Sequence, residues 1–132
     1  MPKPPLPQHL VDFLEKPQPA VMATVRPEGG PVSVATWYLW EKGRVLLNMD
    51  AGRSRLRHLR ADPAVSLTVL DSESWYRHVS LRGRVVELVD DPTLADIDRL
   101  SRHYGGDAYP VRDRARVSAW MEIDHWHAWN VE

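Results

Sequence analysis

The sequence predicts a small, mainly β protein of the α+β class, an antiparallel barrel with short helices between its strands. Three observations predict it: runs of strand-like residues recur along the chain, turn residues separate the first runs, and only short stretches have helical spacing. A connection as short as Arg26–Gly30 cannot cross over a sheet, so the first strands are expected to pair antiparallel. Strands interrupted by short helices favour a closed or partly closed barrel.

The first half of the chain is expected to hold one helix and three strands. The helix runs through Leu10–Leu14 at helical spacing and ends before Pro17. Ala20–Val25 is a buried strand, and Val32–Tyr38 and Val45–Met49 follow after turn residues. The three strands are therefore predicted to form an antiparallel meander.

The second half is expected to alternate helices and strands. Pro92 suits the first position of a helix, and the acidic residues around it favour a helix N-terminus. Gly83 is expected to kink or bulge a long strand. The predicted elements are a helix over Ser54–Ala61, strands over Ala64–Leu70 and Trp75–Val89, a helix from Asp91-Pro92 to Gly105-Gly106, and a strand over Arg116–Asn130.

Length and composition limit the class of protein. The 132 residues suit a single domain over residues 1–132, and 43% hydrophobic with 27% charged residues is typical of a globular protein. A formal net charge of -1 argues against a protein that coats nucleic acid. Neither a membrane-length apolar run nor a signal peptide is evident, so a cytoplasmic protein without a membrane partner is expected. The absence of cysteine excludes disulfides, thiolate metal ligands and cysteine nucleophiles.

The sharpest chemical signal is the segment Arg53–Arg60, which holds four arginines and a histidine and no acid. It opens a predicted helix, whose free backbone N–H groups and dipole favour an anion. Gly52 permits close approach of the backbone, and Ser54 can cap the helix or donate to a phosphate oxygen. Arg53 and Arg55 flank the helix start, and each guanidinium can donate a pair of hydrogen bonds to phosphate oxygens. A solvated basic helix face explains the same charge run.

Other candidate sites are weaker. His125 and His127 share a strand face as a chelating pair would, but no third ligand is evident, and no metal site is predicted. No nucleophile elbow or glycine-rich fingerprint is present, so no catalytic residue is predicted and a bound cofactor is expected to do any chemistry. Aromatic residues such as Trp37 and Tyr76 could stack on a planar ring, although packing or an interface is their commoner role. A single-strand nucleic-acid platform fits the near-neutral charge poorly.

Three segments together resemble a known family. Ala23–Ser33 with its Gly29-Gly30 turn, Val45–Met49, and the run Arg53–Val65 are similar to pyridoxamine-phosphate-oxidase-like split β-barrel proteins. They are closer to the flavin/deazaflavin oxidoreductase branch, which uses coenzyme F-420, than to pyridoxamine phosphate oxidase itself. The resemblance covers Val21–Val89 and implies a split β-barrel of the FMN-binding type, a Greek-key-like antiparallel barrel with short helices.

The resemblance also implies a function and a site. The function is an oxidoreductase that transfers hydride between F-420 and a small conjugated acceptor. FMN is the alternative cofactor, and a non-catalytic cofactor carrier is the alternative function. A homodimer is implied, with the cofactor in a groove between subunits. The implied cofactor-binding residues are Arg53, Ser54, Arg55 and His58 at the helix, Ser33, Ala35, Thr36, Asn48, Met49 and Asp50 on strands, and Tyr76 closing over the ring from the partner. Arg55 stands where the family has Lys, and His58 where relatives often have Asn.

Overall fold

The structure, a computed structural model, describes residues 2–132 as one seven-stranded antiparallel sheet with three short helices. The helices are α1 (Gln8–Leu14), α2 (Ser54–Ala61) and α3 (Ala95–His103). The strands are β1 (Ala20–Val25), β2 (Pro31–Thr36), β3 (Leu39–Glu41), β4 (Arg44–Asp50), β5 (Ala64–Leu70), β6 (His78–Asp90) and β7 (Arg116–Trp129). The predicted α+β split-barrel fold is confirmed. No helix within residues 2–132 is long and apolar enough to cross a membrane.

The strand order shows that the predicted meander of the first strands is wrong. The order across the sheet is β2-β1-β5-β6-β7-β4-β3, so β2 and β4 lie near opposite edges. The chain leaves β2 after Thr36 and begins β3 at the other edge, through a connection that contains Tyr38. Tyr38 is completely buried, and its hydroxyl donates to the carbonyl oxygens of Leu14 (2.9 Å) and Lys16 (3.2 Å). This buried anchor lets a short connection join two edges of a curved sheet.

The main hydrophobic core joins α1 and α2 to the inner face of the sheet. Leu56 and Leu59 attach α2 to this core, as their spacing predicts. β1 alternates between buried and half-buried residues, because only one of its faces meets the core, whereas the sequence suggested a strand buried throughout. A second, smaller cluster surrounds Ile97 and Leu100 of α3.

A bulge at Gly83 interrupts the longest strand pair, as predicted. Arg82 lies opposite His125 but Gly83 lies opposite Ile123, so one residue of β7, Asp124, is unpaired. A side chain at Gly83 would overlap the carbonyl oxygen of Glu122. Only glycine therefore permits this approach of β6 to β7.

The bulge reverses which residues of β7 face inward. Before it, Met121 and Ile123 are buried in the core. After it, Trp126 and Ala128 pack against the core, and His127 is exposed. The single extra residue shifts the two-residue alternation by one position.

The start of α3 lies later than predicted. α3 begins at Ala95, not at Pro92, and its preceding residue Leu94 has a φ of 63°. The buried carboxylate of Asp91 accepts hydrogen bonds from the backbone N–H groups of Asp96 (3.1 Å) and Ile97 (3.0 Å). Asp91 thus caps the helix from a position before Leu94, whereas the sequence pattern placed Asp91 at the helix start itself.

Candidate functional site

A cleft of about 1010 Å³ opens where the barrel is split. The ends of β2 and β4, the start of α2, and α3 with the loop that follows it all contribute to its lining. Its lining comprises a cationic wall of arginines and a second wall of apolar and aromatic residues, and the two walls adjoin where the guanidinium carbon of Arg116 lies 4.8 Å from the centre of the Tyr109 ring. Such a concave surface with a few convergent charged groups is the usual form of a ligand site.

The cationic wall holds four arginines and one carboxylate. Arg53 and Arg55 come from the start of α2, and Arg114 and Arg116 come from the chain that enters β7. Asp50, at the end of β4, lies opposite Arg116 in the β4–β7 ladder. Among the residues that line the cleft, Asp50 is the only acid. The lining therefore has a clear excess of positive charge although the chain as a whole is nearly neutral.

Asp50 is already neutralised within the protein. Its carboxylate pairs with the guanidinium of Arg114 and accepts a hydrogen bond from the backbone N–H of Gly52 (2.8 Å). These contacts, with Arg114 first, lower the pKa of Asp50 to about 2. Within residues 2–132, Arg53, Arg55 and Arg116 form no ion pair with a carboxylate, although the charge of Arg116 contributes to the lowered pKa of Asp50.

Arg55 carries the least satisfied group of the cleft. Its Nη1 atom is buried and has no hydrogen-bond partner in the described part of the chain. Burial lowers the pKa of Arg55, and the charges of Arg53 and Arg116 lower it further. A buried donor left without an acceptor costs about 1–3 kcal/mol, and more when the group is charged. An anion in the cleft would accept this hydrogen bond and offset the repulsion among the three guanidinium groups.

The second wall offers flat aromatic surface. Trp37 stacks on Tyr104 with ring centroids 5.4 Å apart and planes at 16°, and Tyr109 meets Trp37 edge-on at 6.2 Å. Ile97 and Leu100 of α3 complete this wall. A planar ring bound in the cleft could lie against it.

The cleft offers no obvious general acid or base at neutral pH. Burial raises the pKa of Tyr104 to about 12, and its hydroxyl donates to the carbonyl oxygen of Gln18 (2.7 Å). Asp50 stays ionised because its pKa is low. No His, Glu or Lys lines the cleft within residues 2–132. The lining is suited to binding and orienting a ligand more than to moving a proton.

Six of the predicted site residues line this cleft. They come from β2, from β4 and from the start of α2, which are far apart in sequence. The six are Ala35, Thr36, Asn48, Asp50, Arg53 and Arg55.

Four predicted residues lie elsewhere in the chain's own fold. Ser33 is exposed on β2, and Met49 is completely buried in the core. Ser54 begins α2 but makes no capping hydrogen bond. His58 is buried, with its Nδ1 atom 3.0 Å from Oγ1 of Thr24, which is the arrangement of a satisfied core histidine.

Tyr76 lies in a turn rather than in a strand. β6 begins at His78, so Trp75 and Tyr76 precede it, stacked with ring centroids 4.3 Å apart. Both side chains are exposed, and neither lines the cleft. A contribution of Tyr76 from a second copy of the chain stays a prediction.

The sequence did not lead us to predict the cleft residues that come from α3, from the loop after it and from the start of β7. Arg114 and Arg116 belong to a run in which arginine occupies every second position, beginning at Arg112, just before a strand. That alternation was the available signal, because alternate residues at a strand start share a face. Tyr104 and Tyr109 carried no comparable signal.

The histidine pair on β7 lies away from the cleft. The ring of His127 is 6.3 Å from that of His78 on the neighbouring strand. Within residues 2–132, no three His, Asp or Glu side chains are grouped so that they could hold a metal ion.

Comparisons with known proteins identify a family and several solved structures that this chain resembles. Residues 6–130 match the family described as Pyridoxamine 5'-phosphate oxidase. No curated protein matches the chain. Among solved structures, an F420 reductase is 31% identical with a TM-score of 0.81, over 88% of this chain and 94% of its own.

Two further structures share the fold at lower identity. A conserved hypothetical protein from Mycobacterium tuberculosis is 23% identical, with a TM-score of 0.73 over 96% of this chain and 86% of its own. General Stress Protein 26 from Bacillus anthracis is 15% identical, with a TM-score of 0.71 over 95% of this chain and 94% of its own. At these identities the likeness concerns the fold alone.

Proposed function

The chain belongs to the pyridoxamine 5'-phosphate oxidase family, and from that premise we propose that it is an oxidoreductase that binds coenzyme F-420 in the cleft of the split barrel. The observation that carries the proposal is the buried, unpartnered Nη1 atom of Arg55 within a cluster of unpaired guanidinium groups. The similarity to an F420 reductase over most of both chains supports the choice of cofactor.

The cleft residues divide the task of holding such a cofactor. Arg53 and Arg55 would bind its phosphate, and the free N–H groups at the start of α2 would add to the positive potential there. Ala35 and Thr36 on β2 would lie beside the ring system, with Trp37 next to them. The charged end and the flat wall of the cleft thus suit a ligand that has both an anionic group and a planar ring.

Most of the chemistry would belong to the bound cofactor. The deazaflavin, when bound, supplies hydride transfer to a small conjugated organic acceptor. The protein's own groups would bind and orient the ligand. The ion pair of Asp50 with Arg114 keeps that carboxylate from competing with the ligand's anionic group.

A fluorescence titration of the purified protein with F-420 and, separately, with FMN tests the proposal. Saturable binding of F-420 with a micromolar Kd, about -8 kcal/mol, and weaker binding of FMN are expected. The variant Arg55→Ala should weaken F-420 binding at least about tenfold. Arg57→Ala is the matched control, because Arg57 lies on the same helix, is exposed and does not line the cleft.

The possible outcomes lead to different conclusions. An unchanged Kd for Arg55→Ala would remove Arg55 from the site. A preference for FMN would assign the protein to the flavin-dependent members of its family. Binding of neither cofactor would overturn the proposed function.

A non-catalytic cofactor carrier is the second candidate, because the cleft lining has no residue suited to general acid or base catalysis at neutral pH. Mixing the complex of protein and reduced F-420 with a panel of quinones and enones distinguishes the two functions. Oxidation that the protein accelerates supports the oxidoreductase. No oxidation by any acceptor supports the carrier.

A homodimer that completes the groove is part of the same proposal. β2 is an edge strand with five of its six residues exposed, among them Val32 at 37% and Val34 at 41%. An apolar edge of this kind would be covered by a second copy. Light scattering after gel filtration should give twice the mass of 15.2 kDa, and a monomer at micromolar concentration would contradict the dimer.

A further inference from the structure

We propose that Arg116 is a third anion-binding residue of the cleft and that the buried side chains of Asn48 and Asp91 hold it in place. The ligand class it would take is an anion that carries a phosphate group. The inference rests on the proposed function for the identity of the whole ligand, but not for the existence of the anion site.

The Nε atom of Arg116 is held by a hydrogen bond within the described part of the chain, whereas its two terminal nitrogens are not. Its Nε atom donates to Oδ1 of Asn48 (2.7 Å), and its guanidinium carbon lies 4.8 Å from the centre of the Tyr109 ring. The two terminal nitrogens make no hydrogen bond within residues 2–132. Arg116 lines the cleft, so its two terminal nitrogens can donate hydrogen bonds to a ligand.

The three unpaired arginines form one cluster although they come from different elements. Arg53 and Arg55 begin α2, and Arg116 begins β7. All three line the same cleft, and the charges of Arg53 and Arg116 lower the pKa of Arg55. Like charges gathered in a partly buried cleft repel one another, and a multiply charged anion is the ligand that relieves this repulsion best.

Asn48 presents its oxygen to Arg116 because its nitrogen is held on the other side. The Nδ2 atom donates to Oδ2 of Asp91 (3.2 Å) and to Oγ of Ser118 (3.0 Å). A flipped amide would set its oxygen against the Asp91 carboxylate and its N–H₂ group against the N–H of Arg116. The orientation of the amide, and with it the position of Arg116, therefore depends on Asp91.

Asp91 is itself anchored to the start of α3. The two oxygens of its carboxylate accept hydrogen bonds from the backbone of Asp96 and Ile97, and Asp91 is only 5% exposed. One buried carboxylate thus fixes both α3, which forms the apolar wall, and Asn48, which fixes the cationic wall. We expect this coupling to make the cleft rigid before a ligand binds.

Calorimetric titration with sodium pyrophosphate at constant ionic strength tests the role of Arg116. Arg116→Gln should weaken pyrophosphate binding at least about tenfold, and Arg116→Lys, which keeps the charge but loses the fork, should lie between it and the wild type. Arg57→Gln removes the same charge from an exposed position outside the cleft and should stay within about twofold of the wild type. Equal binding by Arg116→Gln and the wild type would overturn the proposal, as would an equal loss in Arg57→Gln.

A double-mutant cycle tests the positioning role of Asn48. Asn48→Ala should weaken pyrophosphate binding, and adding Arg116→Gln to it should give no greater loss than Arg116→Gln alone, because both changes remove the same interaction. Losses that add would show that Asn48 acts independently of Arg116. If Asn48→Ala does not fold, Asn48→Ser serves in its place, because serine keeps a polar group at this buried position but lacks the amide that joins Asp91 to Arg116.

The same variants separate this inference from the proposed function when F-420 and FMN are titrated alongside. Loss of pyrophosphate binding in Arg116→Gln, with neither cofactor bound by the wild type, would support the anion site and overturn the proposed function. Tight binding of F-420 by the wild type, with Arg116→Gln unchanged toward F-420 and pyrophosphate, would do the opposite.

Discussion

Tyr38 illustrates what one residue contributes to this fold. Its hydroxyl donates to two carbonyl oxygens at the end of α1, in a completely buried position. Tyr38→Phe should lower the free energy of unfolding by about 1–3 kcal/mol, because the carbonyls lose their donor without gaining water. Urea unfolding measures the change. Tyr76→Phe is the control, since that side chain is 61% exposed, and an equal loss in both variants would contradict the role of Tyr38.

Asp50 makes the stability of the protein depend on pH in a defined window. Its pKa is lowered from the ordinary value of 3.8 to about 2. Its pairing with Arg114 therefore stabilises the folded state fully above the unfolded pKa, and this stabilisation is lost as the pH falls through the folded pKa. Asp50→Asn should therefore be less stable than the wild type at about pH 6, and the difference should shrink below about pH 4. Denaturant unfolding at several pH values checks this, and a difference independent of pH would refute it.

At the scale of a structural element, the bulge between β6 and β7 requires glycine at position 83. Gly83→Ala should lower the free energy of unfolding by at least about 2 kcal/mol, because the new methyl group would force β6 away from the carbonyl of Glu122. Val89→Ala, on the same strand but 43% exposed, should cost about 0.5 kcal/mol or less. Thermal and urea unfolding compare the two variants, and equal stability of Gly83→Ala and the wild type would exclude the close approach.

At the scale of the whole molecule, the clustered positive charge of the cleft is expected to lower the stability of the unliganded protein and to favour the binding of an anion. The pKa of Arg55 is lowered by burial and by two neighbouring charges, so its charged form is unfavourable in the unliganded protein. Arg55→Gln should leave the Tm of the unliganded protein unchanged or higher, while reducing the rise in Tm that pyrophosphate produces. In the wild type that rise should correspond to about 2.7 kcal/mol when the anion is at a hundred times its Kd.

Differential scanning fluorimetry in pyrophosphate and in chloride of equal ionic strength makes the comparison. A marked fall in the Tm of unliganded Arg55→Gln would show that the guanidinium stabilises the fold. In that case its unpartnered nitrogen would not be evidence for a ligand.

Local patterns predicted the elements well, and the errors occur where distant contacts decide. The runs of β1, β5 and β7 and the helix α2 follow from spacing and turn residues that act within a few positions. The crossing after Thr36 does not, because it depends on hydrogen bonds from Tyr38 to Leu14 and Lys16, which lie 24 and 22 positions earlier. The late start of α3 accompanies the positive φ of Leu94 and the position of Asp91, which also accepts a hydrogen bond from Asn48, 43 positions earlier. Propensity cannot detect a partner that is remote in sequence.

For the candidate site, the sequence by itself indicated the arginines at the start of α2, and the structure added those at the start of β7. Arg53 and Arg55 were detectable because their charge is concentrated in one segment without acids. Arg116 was visible only as the end of an alternating run of arginines, because its role depends on its place opposite Asp50 in the β4–β7 ladder and on its hydrogen bond to Asn48. Whether the charge of Arg55 is paired was also beyond the sequence, since pairing depends on distance in space.

The sequence therefore determined the class of fold, the existence of most strands and helices, and the presence of a cationic helix start, all of which arise from residues close together along the chain. Only the tertiary structure decided which sheet edge each strand occupies, which face of β7 turns inward, and which arginines line the cleft together. The physical reason is that these features depend on contacts between segments far apart along the chain, such as those of Asn48 with Asp91 and Arg116, which are 43 and 68 residues away. Such contacts leave no periodic trace in the sequence of either segment.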